Sequence, residues 1–320
     1  MEKILVTGGA GFIGTNVVEY FIKQKDFDVL SLDINAPKIN EHRNFWKQVD
    51  LCDKSALISE VRKFSPDYVI HLGARTDLMG TCVDDYKANT DGVANLLEAL
   101  DGVANLKRAV FTSSMLVCRV GYHPKDENDY APSTFYGESK IQTEELVKHH
   151  QTHYAWSLIR PTSIWGPWFG VPYANFFKMV LSHTYFNLGN KACNKTYGYI
   201  DNAVYQIVSL LKADEIEMNR KVFYIGDYEP YNISEWAKEI GKAANIFIPT
   251  IPFFLFQIGA KVGDVLKAMH LPFPLTTFRL KNMTTDNVMD TTPIRKIAPQ
   301  LPVSRKEGNV RTIEWLNSQK

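Results

Sequence analysis

The run VTGGAGFIG, residues 6–14, narrows the fold more than any other stretch of this chain. It closes the short apolar run KILVTG (3–8) and opens GFIGTNVVEYFIKQ (11–24), where Phe12, Ile13, Val17, Phe21 and Ile22 recur near one helical face. Gly8, Gly11 and Gly14 stand in a G-x-x-G-x-x-G spacing. The first permits a tight turn, the second lets a phosphate approach the backbone, and the third lets helix and strand close on each other. The helix then offers free N–H groups and the positive end of its dipole to a pyrophosphate. A carboxylate follows where a ribose needs one: Asp33 ends the second strand, FDVLSLD (27–33), 19 residues after Gly14. It would repel a 2′-phosphate, and LDINAPK brings no arginine, only Lys38, so NAD is favoured over NADP. Asp50 in VDLCD is expected to accept from the adenine amino group, although an Asp in DLCDKS is more often a helix cap.

Strand and helix patterns alternate through the first half. Strands are expected at 3–8, 27–33, 45–51, 67–74, 107–114 and 155–161, with helices at 11–24, 54–64, 85–100 and 133–150. Helical crossovers between strands mean a parallel sheet with helices on both faces, an α/β fold. After about residue 165 the alternation loosens and aromatics, prolines and glycines crowd SIWGPWFGVPYANFF (163–177). The expected division is a dinucleotide-binding domain at 1–165 and a mainly substrate-binding lobe at 166–320. KVFYIGD (221–227) looks like a returning core strand, so the lobe is interleaved with the domain.

Composition excludes several functions. Lys plus Arg total 36 and Asp plus Glu 35, a formal charge of +1, which gives no case for nucleic acid as the main partner. Cys52, Cys82, Cys118 and Cys193 are widely spaced, as in a reducing compartment. The start MEKILVTGG has no apolar signal core, so a cytoplasmic location is expected. The apolar run at 246–275 is interrupted by Pro249 and Pro252 and contains Lys261 and Asp264. It is too short and broken to span a membrane, and a buried helix or a lid over an apolar pocket is expected instead of membrane contact. His149, His150 and His153 end a helix with no carboxylate or cysteine at ligand spacing, so no metal site is expected.

TGGAGFIG (7–14), HLGA (71–74), FTSS (111–114), YGESK (136–140) and RPTSIWGP (160–167) occur in that order, and EGNVRTIEWL (307–316) closes the chain. Together they resemble the extended short-chain dehydrogenase/reductase family over most of the length. The resemblance implies a doubly wound parallel Rossmann sheet with a smaller interleaved substrate-binding lobe. It also implies a homodimer paired through the helices at 85–100 and 133–150, and NAD-dependent chemistry on a nucleotide sugar. Ser114, Tyr136 and Lys140 match the family's catalytic positions. Tyr136 and Lys140, four residues apart, share a helix face. A nearby ammonium can lower the phenol from its usual value of about 10, and the cofactor's positive nicotinamide would push it the same way, making Tyr136 an acid/base for an alcohol–ketone couple. Ser114 would hydrogen-bond the same substrate oxygen, and Lys140 the nicotinamide ribose.

The resemblance assigns further cofactor contacts motif by motif: Phe12 and Ile13 beside the three glycines, Leu51 beside Asp50, and Leu72, Gly73 and Ala74 from HLGA. Asn89, Thr112, Pro161 and Thr162 complete that set. Toward the substrate it implies Asp77, Met115, Ser163, Asn175 and Arg279, although Asp77 can equally pair with Arg75 in an exposed loop. Family dehydratases carry Asp-Glu after the catalytic hydroxyl; here Met115 and Leu116 stand there, which disfavours dehydration. Ser163 and Trp165 replace the family's Asn and Tyr, and Cys118 and Arg119 replace Tyr and Gly. Arg119, Arg279 or Lys195 would then supply charge toward a diphosphate. Three activities stay open: a nucleotide-sugar epimerase, a dehydrogenase or ketoreductase of a sugar or small apolar carbonyl compound, and a non-catalytic dinucleotide sensor.

Overall fold

Six short runs become the first strands of one sheet: β1 (Glu2–Thr7), β2 (Phe27–Asp33), β3 (Trp46–Gln48), β4 (Tyr68–His71), β5 (Arg108–Thr112) and β6 (Ala155–Pro161). Lys221–Ile225 is the seventh and pairs with β6. The spatial order is Lys221–Ile225, β6, β5, β4, β1, β2, β3, and every pairing is parallel. This is a computed structural model, and it describes residues 1–189, 192–269, 271, 273 and 275–319. Parallel strands need crossovers, and these are α1 (Phe12–Gln24), α2 (Lys54–Phe64), α3 (Asp91–Asp101) and α4 (Phe135–His149). α5 (Tyr173–Leu181) and α6 (Ile200–Lys212) follow.

The sheet is covered on both faces, so its strands are apolar without strict alternation; Ile4, Leu5 and Val6 are all fully buried. One face packs Val17 and Phe21 of α1 with Ile207 and Leu210 of α6. The other packs Leu57 and Val61 of α2, Leu96 and Leu100 of α3, and Val147 of α4. The chain crosses from β1 to β2 on one side, and from β3 back to β4 on the other side of β1. A crevice therefore opens at the carboxyl ends of β1 and β4, the position where such sheets bind ligands.

Local chemistry moved several expected boundaries. The 45–51 strand shrinks to Trp46–Gln48, preceded by a 3-10 turn at Asn40–Phe45. Asp53, not Asp50, caps α2, its carboxylate accepting from Ala56 N at 3.1 Å. The helix expected at 85–100 is two pieces: a 3-10 stretch, Val83–Asn89, and then α3 from Asp91. The break has a cause in side-chain bonding, because the Asn89 amide is drawn off toward Arg75 and Ser139.

The later chain builds its own aromatic core. Trp236 lies 5.0 Å from Trp165, 4.8 Å from Tyr197 and 5.0 Å from Tyr231, ring centre to ring centre. Lys221–Ile225 is nevertheless part of the main sheet, and α6 packs on α1. The 246–275 run departs from its expectation. It forms the Phe253–Ala268 helix, yet only Ala260 and Gly263 of that helix are buried, and most of its large side chains face solvent. The small residues let the returning chain near Leu275 pack closely, which turns the apolar side outward. His270, Pro272 and Pro274 of this run lie outside the described residues. Among the described residues no helix is long and apolar enough to cross a membrane.

Candidate active site

The crevice is a cleft of about 930 Å³ whose floor is the Gly8–Gly14 turn. Gly8 holds φ +74°, and a Cβ there would meet Gly73 N at 2.5 Å. A Cβ on Gly14 would sit 2.0 Å from the Gly8 carbonyl oxygen. Gly8 and Gly14 thus serve close backbone approach, and Gly73 completes that packing instead of lining the cleft. Phe12, Ile13, Leu51, Leu72, Ala74, Pro161 and Thr162 line the walls, as does Asp50, which also accepts from Cys52 N. Asp33 is fixed at the far end, Oδ2 accepting from Ala10 N at 2.9 Å and Oδ1 from Asn35 N at 2.8 Å. Each of its oxygens keeps a lone pair for a hydroxyl donor. The buried Thr112 hydroxyl faces the same cleft without a protein partner. A backbone cradle, a fixed carboxylate and an unpaired hydroxyl fit a dinucleotide.

The opposite end brings Ser114, Tyr136 and Lys140 together. β5 ends at Thr112, and Ser114 caps the following turn, its Oγ accepting from Leu116 N at 3.1 Å. Thr134 caps α4 through Gly137 N at 3.0 Å, so Tyr136 and Lys140 sit on its first turns. Ser114, Met115, Tyr136 and Lys140 share one wall. Tyr136 shares a hydrogen bond with Ser114, yet burial dominates and pushes its phenol up to about 12. Burial also lowers Lys140, to about 8, and its Nζ donates to Thr112 O at 2.9 Å. The expected acidification joins the Lys140 ammonium to the positive nicotinamide of a bound cofactor; burial of the phenol acts in the opposite sense.

Beneath this wall lies a buried ion pair. Arg160 donates through Nε to Glu144 Oε1 at 2.7 Å and through Nη2 to Oε2 at 2.8 Å. Ser113 Oγ adds a 2.6 Å bond to Oε1. The network joins β5, β6 and α4. Nearby, His71 is fully buried with Nδ1 2.7 Å from Thr7 Oγ1 and Nε2 unpartnered, and burial lowers it to about 3.

Six expected contacts stand outside the cleft lining; Gly73 is the one already placed. Asn89 is wholly buried, with its amide spent on the Arg75 backbone and Ser139 Oγ, so it positions the loop and α4. Asp77 pairs with Arg75 Nε at 2.7 Å in an exposed loop. Ser163 is buried and accepts from the Tyr173 hydroxyl at 2.6 Å. Asn175 is exposed on α5, and Arg279 is exposed on the Thr277–Thr284 helix. Lys195 Nζ donates to Asn282 O at 2.7 Å. His149, His150 and His153 separate, bonding to Glu145 O, Asp101 and Val103 O. Sequence reasoning missed Lys87, Trp168 and Tyr173, and it gave Lys38 no site role. Lys38 Nζ donates to Trp168 O at 3.2 Å, bridging the Asp33 end of the cleft to the loop after residue 165. No motif marks these residues; a cation five positions after Asp33 was the one available signal.

Comparison with known proteins agrees with this geometry. The model of the NAD dependent epimerase/dehydratase family matches residues 4–226. The N-acetyl-alpha-D-glucosaminyl-diphospho-ditrans,octacis-undecaprenol 4-epimerase of Escherichia coli O157:H7 is 26% identical, covering 98% of this chain and 95% of that protein. The UDP-glucose 4-epimerase of Vibrio cholerae is 29% identical over 82% of each. Among solved structures, the UDP-glucose 4-epimerase of Thermotoga maritima superposes with a TM-score of 0.77 at 20% identity, covering 99% of both chains, a likeness of fold.

Proposed function

Because the chain belongs to the NAD dependent epimerase/dehydratase family, we propose that it inverts a hydroxyl-bearing carbon of a sugar carried on a diphosphate, with Tyr136 as acid/base. One observation carries this reading: Ser114, Tyr136 and Lys140 converge on the wall opposite a dinucleotide cradle. The first relative named above acts on a lipid-linked sugar and the second on a nucleotide sugar, and in both names the reaction is 4-epimerisation. The missing carboxylates at Met115 and Leu116 argue against dehydration.

Gly8, Gly11 and Gly14 would hold the pyrophosphate of NAD, Asp33 the adenosine ribose, and Thr112 and Lys140 the nicotinamide end. When bound, NAD supplies reversible oxidation of a secondary alcohol. Ser114 Oγ and Tyr136 Oη hold the reacting oxygen between them. Tyr136 Oη takes the hydroxyl proton in the oxidising half and returns it to the same oxygen once the carbonyl has presented its other face. The oxidising half starts from the phenolate, and burial works against it by holding the phenol at about 12. It is the donor in the reducing half, whereas the oxidising half needs positive charge beside it. Lys140 is a cation on that wall and stays charged below about pH 8.

The test is incubation of purified protein with NAD and a panel of UDP-sugars and prenyl-diphosphate sugars. The expected result is an epimer with no net cofactor reduction. Accumulating NADH with released ketone would assign a dehydrogenase instead.

A further inference from the structure

The Phe253–Ala268 helix wears its apolar stripe on the outside. Phe254, Leu255, Ile258, Val262, Val265 and Met269 are 47–63% exposed. At about 100° per residue they fall within an arc roughly 100° wide. Ala260 and Gly263, the buried residues, lie on the other side. A Cβ at Gly263 would sit 1.7 Å from Leu275 O, so the small face is committed to the returning chain. The return adds Leu271, Phe273 and Phe278, the last 71% exposed. Single exposed apolar residues are ordinary, but a continuous stripe of this length marks an interaction surface.

Charge identifies what covers it. Residues 253–284 carry Lys261, Lys267, Arg279 and Lys281 against one carboxylate, in a chain of formal charge +1. That carboxylate, Asp264, is occupied within the hairpin, accepting from Thr277 N at 3.1 Å and Thr277 Oγ1 at 2.5 Å. A second copy of the same face would set cations against cations. Lys261 stands about 20° beyond Phe254, so an anionic lipid surface meets both the apolar stripe and a cation at its edge. We propose that this helical hairpin is a monotopic docking face for a bilayer containing anionic lipids, lying in the interface without spanning it.

Its roots reach the catalytic cleft. A Cβ on Gly189 would meet Phe253 at 3.1 Å, so the two segments pack closely there. Beyond the Thr277–Thr284 helix the chain brings Asn287 Nδ2 to 3.9 Å from the sulfur of Met115, next to Ser114 on the cleft wall. If the cleft epimerises a diphosphate-linked sugar, as proposed above, this location suits a substrate whose carrier is a lipid held in that same bilayer.

Flotation of the full chain with phosphatidylcholine vesicles, with and without phosphatidylglycerol, tests the docking face. The expected result is flotation with the anionic vesicles, falling roughly tenfold or more in Phe254→Ser/Val265→Ser. Lys261→Glu/Lys267→Glu should erase the preference for phosphatidylglycerol. A second assay compares turnover of a prenyl-diphosphate sugar in vesicles with turnover of a UDP-sugar; the variants should slow the first alone. Absence of flotation, flotation indifferent to these variants, or equal slowing of both substrates would overturn the proposal. So would a change of oligomeric state in the variants by sedimentation velocity, which assigns the face to a second copy. Failure of the epimerase reading looks different: neither substrate is turned over by the parent protein while flotation is unchanged.

Discussion

Burial makes the Tyr136 phenol a weaker acid, and the hydrogen bond it shares with Ser114 pulls the other way. Removing the hydroxyl therefore removes a proton carrier and changes little else. Tyr136→Phe should lose turnover by on the order of 10² to 10⁴-fold while still binding NAD, checked by steady-state rates and calorimetry. Undiminished activity would unseat Tyr136 from its proposed role. His71, two residues before Gly73 and fully buried, makes a different prediction. Its ring stays neutral in the fold down to about pH 3, whereas the unfolded chain takes a proton below about 6.5. The unfolded state then binds more protons, so stability falls as pH drops through 6.5 toward 3. From pH 7.5 to 5.0 this group should cost about 2 kcal/mol. Urea unfolding at the two pH values should show that His71→Asn loses this share of the pH dependence.

Between elements, the contacts that matter are close approaches and buried charge. The Gly8–Gly14 turn works because β1, α1 and the end of β4 come within backbone contact. Gly14→Ala drives a Cβ against the Gly8 carbonyl and should cost about 1–3 kcal/mol, with weaker NAD binding by calorimetry. α4 is tied to β5 and β6 by Glu144, whose side chain is inaccessible to solvent, as is nearly all of Arg160. Glu144→Ala would strand the guanidinium, at a cost of about 3–5 kcal/mol in denaturant unfolding. The loss should exceed that of Arg311→Ala, whose ion pairs are exposed. The break between Val83–Asn89 and α3 belongs to this scale too. Helical periodicity ran straight through it, because the signal for the break is a hydrogen bond from Asn89 to Ser139, 50 residues away.

The whole molecule is held together by a chain that leaves the sheet after β6 and returns to it at Lys221–Ile225, around an aromatic core centred on Trp236. Trp236→Ala should cost roughly 3–5 kcal/mol. Far-UV circular dichroism and tryptophan fluorescence should still report one coincident transition, since both lobes share that core. Local pattern carried much of this architecture. The glycine spacing, Asp33, the alternation of strands and helices and the Tyr136–Lys140 pair are short-range features, because backbone conformation and side-chain periodicity are decided within a few residues. Tertiary structure alone decided the rest. It spent Asn89 and Ser163 on internal bonds, paired Asp77 with Arg75, brought Lys38 over the cleft, and buried the Tyr136 phenol, which raises it. It also turned the apolar side of residues 253–269 toward solvent. Burial and partnership depend on residues distant in the chain, and desolvation, which sets both the acid strengths and the exposed face, exists only once those residues have packed.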